Sequence, residues 1–212
     1  MDLLKQLSEA LQQGDHQRVA ELTRQAIDQQ VPAESILDDG LLAGMNVIGE
    51  RFRRHEIFLP EVLMAAKAMY SGLELLKPLL IKGGIPSQGK VVIGSVQGDL
   101  HDIGKNLVGI MLTGAGFEVI DLGNDVAPER FVETAIAEEA PVIGMSALLT
   151  TTMSVMKQVV ELTRERGLSE RVKIIVGGAP VSAQFANEIG ADAHGFDAAN
   201  AVDRVKMLVG RV

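Results

Sequence analysis

The second half of the chain alternates apolar runs with amphipathic segments, and this alternation strongly limits the folds open to it. Apolar runs typical of buried strands lie at 91–96, 117–122, 141–146 and 172–176, with a short fifth candidate at 191–195. Segments with helical spacing lie near 103–115, 127–138, 152–166, 181–189 and 198–210. Continuously apolar strands that alternate with helices predict a parallel sheet covered on both faces. We therefore predict a Rossmann-like, doubly wound α/β domain with a flavodoxin-like strand order.

The first part of the chain has a different pattern. Residues 1–82 contain four segments with helical spacing and no convincing strand. Gly14 ends the first segment, and Asp15 can cap the second. Pro32 and Pro60 fit the first turns of the third and fourth helices. Four helices with short connections predict an antiparallel four-helix bundle.

A glycine-rich stretch separates the two patterns. Residues 83–89 have the composition of a linker, with three glycines and one proline. Neither half of the chain is basic, so neither has the charge of a polyanion-binding module. We therefore predict a helical bundle and linker at 1–89 and an α/β domain at 90–212.

Composition and charge argue against several classes of function. The chain has 212 residues, of which 47% are hydrophobic and 23% charged, and these are globular values. Its net charge of −8 and pI near 5.0 argue against a nucleic-acid partner and against binding to anionic membranes. The chain has no cysteine, so it cannot itself hold a disulfide or an iron–sulfur cluster. No apolar run reaches about 18 residues, so we expect no membrane span and a cytoplasmic protein.

The loop between the first predicted strand and the next helix concentrates the reactive side chains. It reads Gly98-Asp99-Leu100-His101-Asp102-Ile103-Gly104-Lys105-Asn106. One interpretation is a phosphate-binding P-loop, which has four residues between its glycines and then Ser or Thr after the lysine. Here five residues separate Gly98 from Gly104, and Asn106 follows the lysine. The two acidic residues of the loop would repel a phosphate, and the chain has no Gly-x-Gly-x-x-Gly pattern for a dinucleotide.

A second interpretation is an ordinary zinc or iron site. Such a site needs three or four protein ligands, usually clustered histidines or cysteines. His16, His55 and His194 lie far from His101 in the sequence, so His101 has no partner ligand nearby. One histidine can nevertheless hold a metal whose equatorial positions are filled by a macrocycle, because only an axial position then remains.

A third interpretation follows, in which His101 is an axial metal ligand. Asp99, two residues earlier, would orient the imidazole by accepting a hydrogen bond from its other ring nitrogen. Gly104 would let a bulky planar ligand approach the backbone. The simpler alternative is that His101 caps the next helix or is a solvated loop residue, and the spacing leaves both open.

Three motifs give the chain a family resemblance. Asp99 to Gly104 resembles the Asp-x-His-x-x-Gly signature of cobalamin-binding domains. Ser146-Ala147-Leu148 resembles the Ser-x-Leu element of that family, and Gly177-Gly178 resembles its Gly-Gly element. The three motifs occur in the family's order. The first half of the chain is similar to the helical cap of methionine synthase and of the corrinoid proteins in methyltransferase systems.

The resemblance implies a set of cofactor contacts. It implies cobalt ligation by His101 and a hydrogen-bond relay through Asp99 to Thr152, where methionine synthase has a serine. The cofactor face would be formed by the signature loop at Gly98, Asp99, Leu100, His101, Asp102, Ile103 and Gly104. A slot for the cofactor's nucleotide tail would be lined by Ser146, Leu148, Thr150, Gly177, Gly178 and Ala179. Ala198 would also touch the cofactor, and Phe52 and Leu59 of the cap would shield its upper face.

Structural alternatives exist for most of these residues. Ser146 and the threonines at 150–152 could be helix caps. Gly177-Gly178 could be a simple strand-exit turn. Phe58 and Leu59 could form a hydrophobic staple before Pro60, with Phe52 in the bundle core.

The resemblance also implies a function. Such proteins are methyl carriers: cob(I)alamin accepts a methyl group from a donor on a substrate-specific methyltransferase. As methylcobalamin it passes the group to an acceptor, such as tetrahydrofolate or a thiol, through a second methyltransferase. A reductive activase restores the reduced cobalt, and hydroxocobalamin is a form suited to reconstitution. The chain would then be a subunit of an enzyme system, not a complete enzyme.

Other functions compete with the methyl carrier. One is the small subunit of an adenosylcobalamin-dependent mutase, which the helical cap disfavours. Another is a cobalamin sensor, which would need an output module. A phosphoacceptor receiver domain would place an aspartate after the third strand, where Ser146 and Ala147 stand.

Overall fold

The computed structural model of this chain describes residues 3–83 and 87–210, with the backbone alone at 81–83. The described residues form two compact units. The first comprises the chain up to Pro86 together with Gly114–Gly116, and the second comprises Ser87–Thr113 and the chain from Phe117 onward. The predicted linker falls at this division, and its residues 84–86 lie outside the described residues.

The first unit is built from helices. They are α1 (Leu3–Gln12), α2 (His16–Asp28), α3 (Ala33–Ser35), a π-helical stretch (Ile36–Leu42), α4 (Ala43–Arg53) and α5 (Leu59–Gly83). The carboxylate of Asp15 accepts the N–H of Arg18 at 3.0 Å, which confirms the predicted cap of α2. The predicted third helix is α3, the π-helical stretch and α4 in direct succession. Pro32 is its N-cap, one residue earlier than predicted, and Pro60 is the second residue of α5.

The interior of this unit is aliphatic because the longer helices turn their apolar stripes inward. The largest fully buried side chains of the unit are Leu7, Leu11, Leu22, Ile36, Leu41, Ile48, Met69 and Leu76.

The second unit contains a five-stranded parallel sheet. Its strands are β1 (Lys90–Ser95), β2 (Glu118–Asp121), β3 (Val142–Ser146), β4 (Lys173–Gly177) and β5 (Ala193–Gly195). They lie in the order β2-β1-β3-β4-β5, and every neighbouring pair is parallel. This is the predicted flavodoxin-like order. The intervening helices are α6 (Ile103–Gly114), α7 (Pro128–Ala137), α8 (Met153–Glu165), α9 (Ala183–Ile189) and α10 (Ala198–Val209).

The register of the sheet brings the predicted motifs to one edge. Ser95 pairs with Ser146, Ser146 with Gly177, and Gly177 with Gly195. The strands β1, β3, β4 and β5 therefore end at the same level, and the loops that follow them leave the sheet side by side. This carboxyl edge is where open α/β sheets bind their ligands.

Candidate functional site

A buried carboxylate lies at the centre of the carboxyl edge. Asp99 has 0% exposed surface, and its two oxygens accept bonds from two different loops. Its Oδ1 accepts the backbone N–H of His101 at 3.1 Å and lies 2.8 Å from the Nδ1 of the same histidine. Its Oδ2 accepts the N–H groups of Leu148 and Leu149, at 2.7 and 3.1 Å, and the hydroxyl of Thr152 at 3.1 Å. The loop after β3 therefore fixes the carboxylate of Asp99, and Asp99 in turn fixes the imidazole of His101.

These bonds control the charge of Asp99. Burial alone raises the pKa of this carboxyl, because it disfavours the ionised form. Hydrogen bonds from the N–H groups of Leu148, His101 and Leu149 and from the imidazole outweigh burial and hold its pKa well below the usual range. Asp99 is therefore ionised at neutral pH.

The ionised carboxylate determines which ring nitrogen of His101 is free. A carboxylate can only accept, so Nδ1 carries a proton and donates it to Asp99. Nε2 then presents a lone pair, and among the described residues it has no hydrogen-bond partner. The side chain is 53% exposed at the edge of the sheet. The imidazole is thus oriented by Asp99, with its Nε2 open to solvent or to a ligand.

Thr152 joins this network instead of capping a helix. It occupies the N-cap position of α8, but its side chain makes no cap hydrogen bond. Its buried hydroxyl shares one proton between two acceptors, Asp99 Oδ2 at 3.1 Å and the carbonyl oxygen of Leu149 at 2.9 Å. The cap alternative is therefore wrong for Thr152.

Large apolar side chains are exposed at the carboxyl edge of the sheet. They lie in the loops after β1, β3 and β5 and at the start of α6: Leu100 (69%), Ile103 (71%), Leu148 (44%), Leu149 (41%) and Phe196 (71%). Exposed apolar surface of this kind marks a binding site for a ligand or a partner. An imidazole within such a surface suits a large, mostly apolar ring system that carries a metal.

Gly104 has a property that packing within the chain does not explain. It lies in the first turn of α6, where glycine destabilises a helix relative to alanine. A Cβ at this position would meet no atom within 4 Å. Among the described residues, nothing therefore excludes a side chain here, and the space beside Gly104 is open to a bound group.

Comparison with known proteins decides the nature of the ligand. Residues 89–205 match a family model described as a B12 binding domain, and residues 3–77 match a second model with the same description. A corrinoid protein of Desulfitobacterium hafniense is 44% identical over 100% of this chain and 99% of its own length. Dimethylamine corrinoid protein 3 of Methanosarcina acetivorans is 44% identical over 98% of this chain and 97% of its own length.

This chain belongs to the corrinoid protein family. Its cofactor is cobalamin, whose metal is cobalt. The crystal structure of the methanol:cobalamin methyltransferase complex MtaBC from Methanosarcina barkeri contains a chain of the same fold. The TM-score is 0.90, with 32% identity, 99% coverage of this chain and 80% coverage of that one.

The residues predicted for the cobalamin tail slot lie in two of the carboxyl-edge loops. Ser146 is the half-buried last residue of β3, and its hydroxyl has no hydrogen-bond partner among the described residues. Thr150 and Ala179 are exposed. These three positions leave polar and small side chains open to a ligand.

The fold itself requires the two predicted glycines. Gly178 has a φ of 124°, and a Cβ there would overlap the carbonyl oxygen of Ala147. A Cβ on Gly177 would lie 2.9 Å from the carbonyl oxygen of Gly195. The strand-exit alternative therefore accounts for both glycines, whether or not they also contact the cobalamin.

The other residues predicted to contact the cofactor, Ala198, Phe52 and Leu59, lie in helices. Ala198 is the buried first residue of α10, next to the capping residue Asp197. In the first unit, Phe52 lies in α4 and Leu59 begins α5, and both are half-buried.

The hydrophobic-staple alternative was assigned to the wrong residues. Phe58 is 66% exposed and precedes α5. The buried residues Ile57 and Val62 occupy the N′ and N4 positions that a staple uses. The carboxylate of Glu61 accepts the N–H of Phe58 at 3.1 Å, which supplies half of a capping box.

Several residues of the site were not predicted from the sequence. Lys105 is buried, with its Nζ 2.6 and 2.8 Å from the two oxygens of Asp121 and 2.6 Å from the side-chain oxygen of Asn106. The ammonium is thus already paired, and the P-loop alternative is wrong. The position of Asp121 at the carboxyl end of β2 could have indicated in the sequence that this residue lies near the site. Asn124 and Asp125, which hold the signature loop from the next turn, gave only the weak signal of a turn-forming dipeptide.

Residues 3–83 and 87–210 bear on two other kinds of site. No group of three or more His, Asp or Glu side chains in these ranges is placed to bind a metal ion. No helix there has the length and apolar character needed to cross a membrane.

Proposed function

We propose that this chain is the methyl carrier of a corrinoid methyltransferase system. The observation that carries the proposal is the half-exposed imidazole of His101, whose Nδ1 is bound by the buried, ionised Asp99. When bound, cobalamin supplies a cobalt centre that can accept a methyl group and give it up again. The protein orients one metal ligand, the imidazole of His101. It also offers an apolar surface to the cofactor and a nitrogen that can hold a proton.

The geometry assigns separate tasks to three residues. Nε2 of His101 would bind cobalt, because it is the nitrogen that Asp99 leaves free. Asp99 holds the ring in one orientation and makes its nitrogen a better donor. Thr152 donates to Asp99, which extends the network into α8.

The same network can hold a proton when the imidazole is not bound to metal. Nε2 can then take up a proton, and the resulting imidazolium faces the ionised Asp99 at 2.8 Å. The charge stays paired inside the site. Ligation and release of His101 would therefore be linked to proton release and uptake at Nε2.

The cofactor's other parts would meet less specific surfaces. Leu100 and Ile103 would lie against the ring system, next to the open space at Gly104. Ser146, Thr150 and Ala179 would line the slot for the nucleotide tail. The helical unit would act as a cap in which Phe52 and Leu59 shield the upper face.

Partner enzymes follow from the relatives. One relative is named for dimethylamine, and one solved relative forms a complex named for methanol. We infer a substrate-specific methyltransferase as the donor partner, a second methyltransferase for the acceptor and a reductive activase. We also infer a cytoplasmic location, because a reduced cobalt cofactor needs a reducing compartment.

Reconstitution tests the proposal. The apoprotein is loaded with hydroxocobalamin, reduced and incubated with dimethylamine, trimethylamine or methanol and the matching methyltransferase. Formation of protein-bound methylcobalamin with one donor is expected from the wild type. The His101→Ala variant should bind cobalamin with an altered spectrum and form methylcobalamin more slowly, whereas His16→Ala should match the wild type. Failure with every donor, together with mutase activity on adenosylcobalamin, would favour the mutase alternative.

A further inference from the structure

The turn between β2 and α7, residues 122–126, packs along the loop that carries His101. The backbone of this turn continues the sheet beyond β1. The N–H of Ser95 donates to the carbonyl of Gly123 at 3.0 Å, and the N–H of Val126 donates to the carbonyl of Ser95 at 3.0 Å. Val96 also bridges to Val126. The turn is therefore fixed to the strand from which the signature loop emerges.

Three successive carbonyl groups of the signature loop are bound, two by this turn and one by the last residue of β1. The carbonyl of Asp99 accepts the N–H of Asp125 at 3.0 Å. The carbonyl of Leu100 accepts the side-chain amide of Asn124 at 3.3 Å, and the carbonyl of His101 accepts the hydroxyl of Ser95 at 2.6 Å. These three hydrogen bonds hold consecutive carbonyl groups of the loop within the chain itself, without a ligand.

Asp125 makes two of the bonds that define this conformation. Its Oδ1 accepts the N–H of Gly98 at 2.7 Å, while its own N–H donates to the carbonyl of Asp99. It thus binds the loop on both sides of the peptide group that joins Gly98 to Asp99. Its φ of 53° is left-handed, a conformation that aspartate adopts more readily than most residues.

The ion pair of Lys105 connects the far side of the loop to the same turn. Lys105 lies in the first turn of α6, and its Nζ binds both oxygens of Asp121 at the end of β2. One of those oxygens also accepts the N–H of Gly123 at 2.8 Å. The turn therefore holds the loop at its start, through Asp125, and at its end, through Lys105.

We propose that Asp125 is a positioning residue for the His101 imidazole: its carboxylate sets the backbone at Gly98 and Asp99, so that Nε2 points at the cobalt site in the absence of cofactor. The proposal rests on the proposed ligation by His101. Asp125 touches neither the imidazole nor the carboxylate of Asp99, and it acts through the backbone that carries both.

Three variants test this role. Asp125→Gly removes the carboxylate and keeps the left-handed backbone, because glycine adopts positive φ freely. Asp125→Asn keeps a side-chain oxygen acceptor in a residue that also tolerates this conformation. Glu129→Gln removes an exposed carboxylate in the first turn of α7, outside the contacts to the loop.

Two readouts separate positioning from simple stability. One is the dissociation constant for hydroxocobalamin, measured by absorbance titration of apoprotein. The other is the nitrogen-15 chemical shift of the His101 ring in labelled apoprotein, which reports its hydrogen bond to Asp99 without cofactor. Thermal melting of each variant controls for the fold.

Asp125→Gly is expected to bind hydroxocobalamin about tenfold more weakly, as for the loss of one hydrogen bond that holds the loop. It is also expected to shift the ring resonance of His101. Asp125→Asn and Glu129→Gln should remain near the wild type. The proposal is wrong if Asp125→Gly leaves both readouts unchanged, or if Glu129→Gln alters them equally.

Two further outcomes keep the test decisive. If Asp125→Gly does not fold, amide hydrogen exchange of Gly98 in wild-type apoprotein takes its place, because this N–H donates to Asp125. A Gly98 amide that exchanges without protection refutes the proposal. A failure of the proposed ligation by His101 can be told apart from a failure of the role of Asp125. If cobalamin bound to the wild type has no histidine nitrogen on cobalt, the proposed function is contradicted. The ring resonances of the apoprotein still report on Asp125 in that case.

Discussion

Asp99 combines full burial with a negative charge, and its surroundings explain how. An isolated buried carboxylate is strongly disfavoured, and the usual remedy is protonation. Here four N–H groups and one hydroxyl converge on its two oxygens. Each N–H bond to the charged carboxylate contributes about 1.5–3 kcal/mol. The result is an acceptor of fixed charge and fixed position beneath His101.

The low pKa of Asp99 predicts a pH dependence of stability. Because the folded-state pKa lies below the usual value of about 4, the ionised form stabilises the fold above that pH. This contribution is lost as the pH falls below about 4 toward the folded-state pKa. We expect the free energy of unfolding of the apoprotein, measured by urea denaturation, to fall more steeply below this pH in the wild type than in Asp99→Asn.

Asp102→Asn provides the matched control for this experiment. Asp102 is next to His101 in the sequence, but its carboxylate accepts none of the bonds made to Asp99. Its replacement should leave the wild-type loss of unfolding free energy at acid pH unchanged. Equal acid sensitivity of wild type and Asp99→Asn would show that Asp99 is not ionised in the folded protein.

The hydroxyl of Thr152 should contribute a smaller amount than the four N–H donors. Thr152→Val removes it with little change in shape, and we expect a loss of about 0.5–1.5 kcal/mol of unfolding free energy. Thr152→Ser should restore most of the stability, because serine keeps the donor. Thr151→Val, at the exposed neighbouring position, is the control. Identical stability of Thr152→Val and Thr151→Val would argue against the bond to Asp99.

At the scale of secondary-structure elements, the sheet register creates the site. Ser146 and Gly177 pair in adjacent strands, so the loops after β3 and β4 begin side by side. Ser95 pairs with Ser146, which brings the signature loop next to the loop that holds Asp99. Residues far apart in the sequence become partners because parallel strands end at one edge.

The glycines of these elements should respond oppositely to alanine. The methyl group of Gly104→Ala meets no atom of the described residues, so the apoprotein should keep its stability or gain up to about 1 kcal/mol from better helix propensity. Cobalamin binding should nevertheless weaken, because the methyl group occupies space that we assign to the cofactor.

Gly178→Ala is the contrasting variant. Its Cβ would overlap the carbonyl oxygen of Ala147 and its φ is unfavourable for alanine, so the apoprotein itself should be destabilised by about 1–3 kcal/mol. Melting curves and cobalamin titrations of both variants check the pair. A Gly104→Ala protein that binds cobalamin as tightly as the wild type would remove the close-approach role of Gly104.

At the scale of the whole molecule, much of the α/β unit could be predicted from the sequence. The apolar runs predicted all five strands, and their alternation with helices predicted the strand order, because a buried parallel strand leaves a clear local signal. The Asp99–His101 pair was also predictable, because two residues of spacing is a local feature. The bonds from Leu148 and Leu149 were not, since backbone N–H groups carry no sequence signal.

The other differences between the sequence-based predictions and the structure also arise from contacts that leave no local sequence signal. The π-helical stretch at Ile36–Leu42 and the pairing of Lys105 with Asp121 depend on contacts between elements. Ile57 and Val62, instead of Phe58 and Leu59, are buried around the start of α5, because the helix begins one residue earlier than its proline suggested.

The helical cap gives a prediction that concerns both units. If Phe52 and Leu59 shield the upper face, Phe52→Ala and Leu59→Ala should speed the photolysis of protein-bound methylcobalamin, because the radical pair escapes before it recombines. Phe58→Ala, at a 66% exposed position, is the control. Photolysis rates equal to the wild type in both shielding variants would rule out this role.

Electron paramagnetic resonance of the cobalt(II) form tests the central claim most directly. The protein is produced with nitrogen-15 histidine and loaded with unlabelled cobalamin, so that an axial histidine nitrogen and the cofactor's own base give different splittings. We predict a doublet from the labelled imidazole, and its loss in His101→Ala. A triplet that is unchanged by the label would mean that the cofactor keeps its own base on cobalt, and it would contradict ligation by His101.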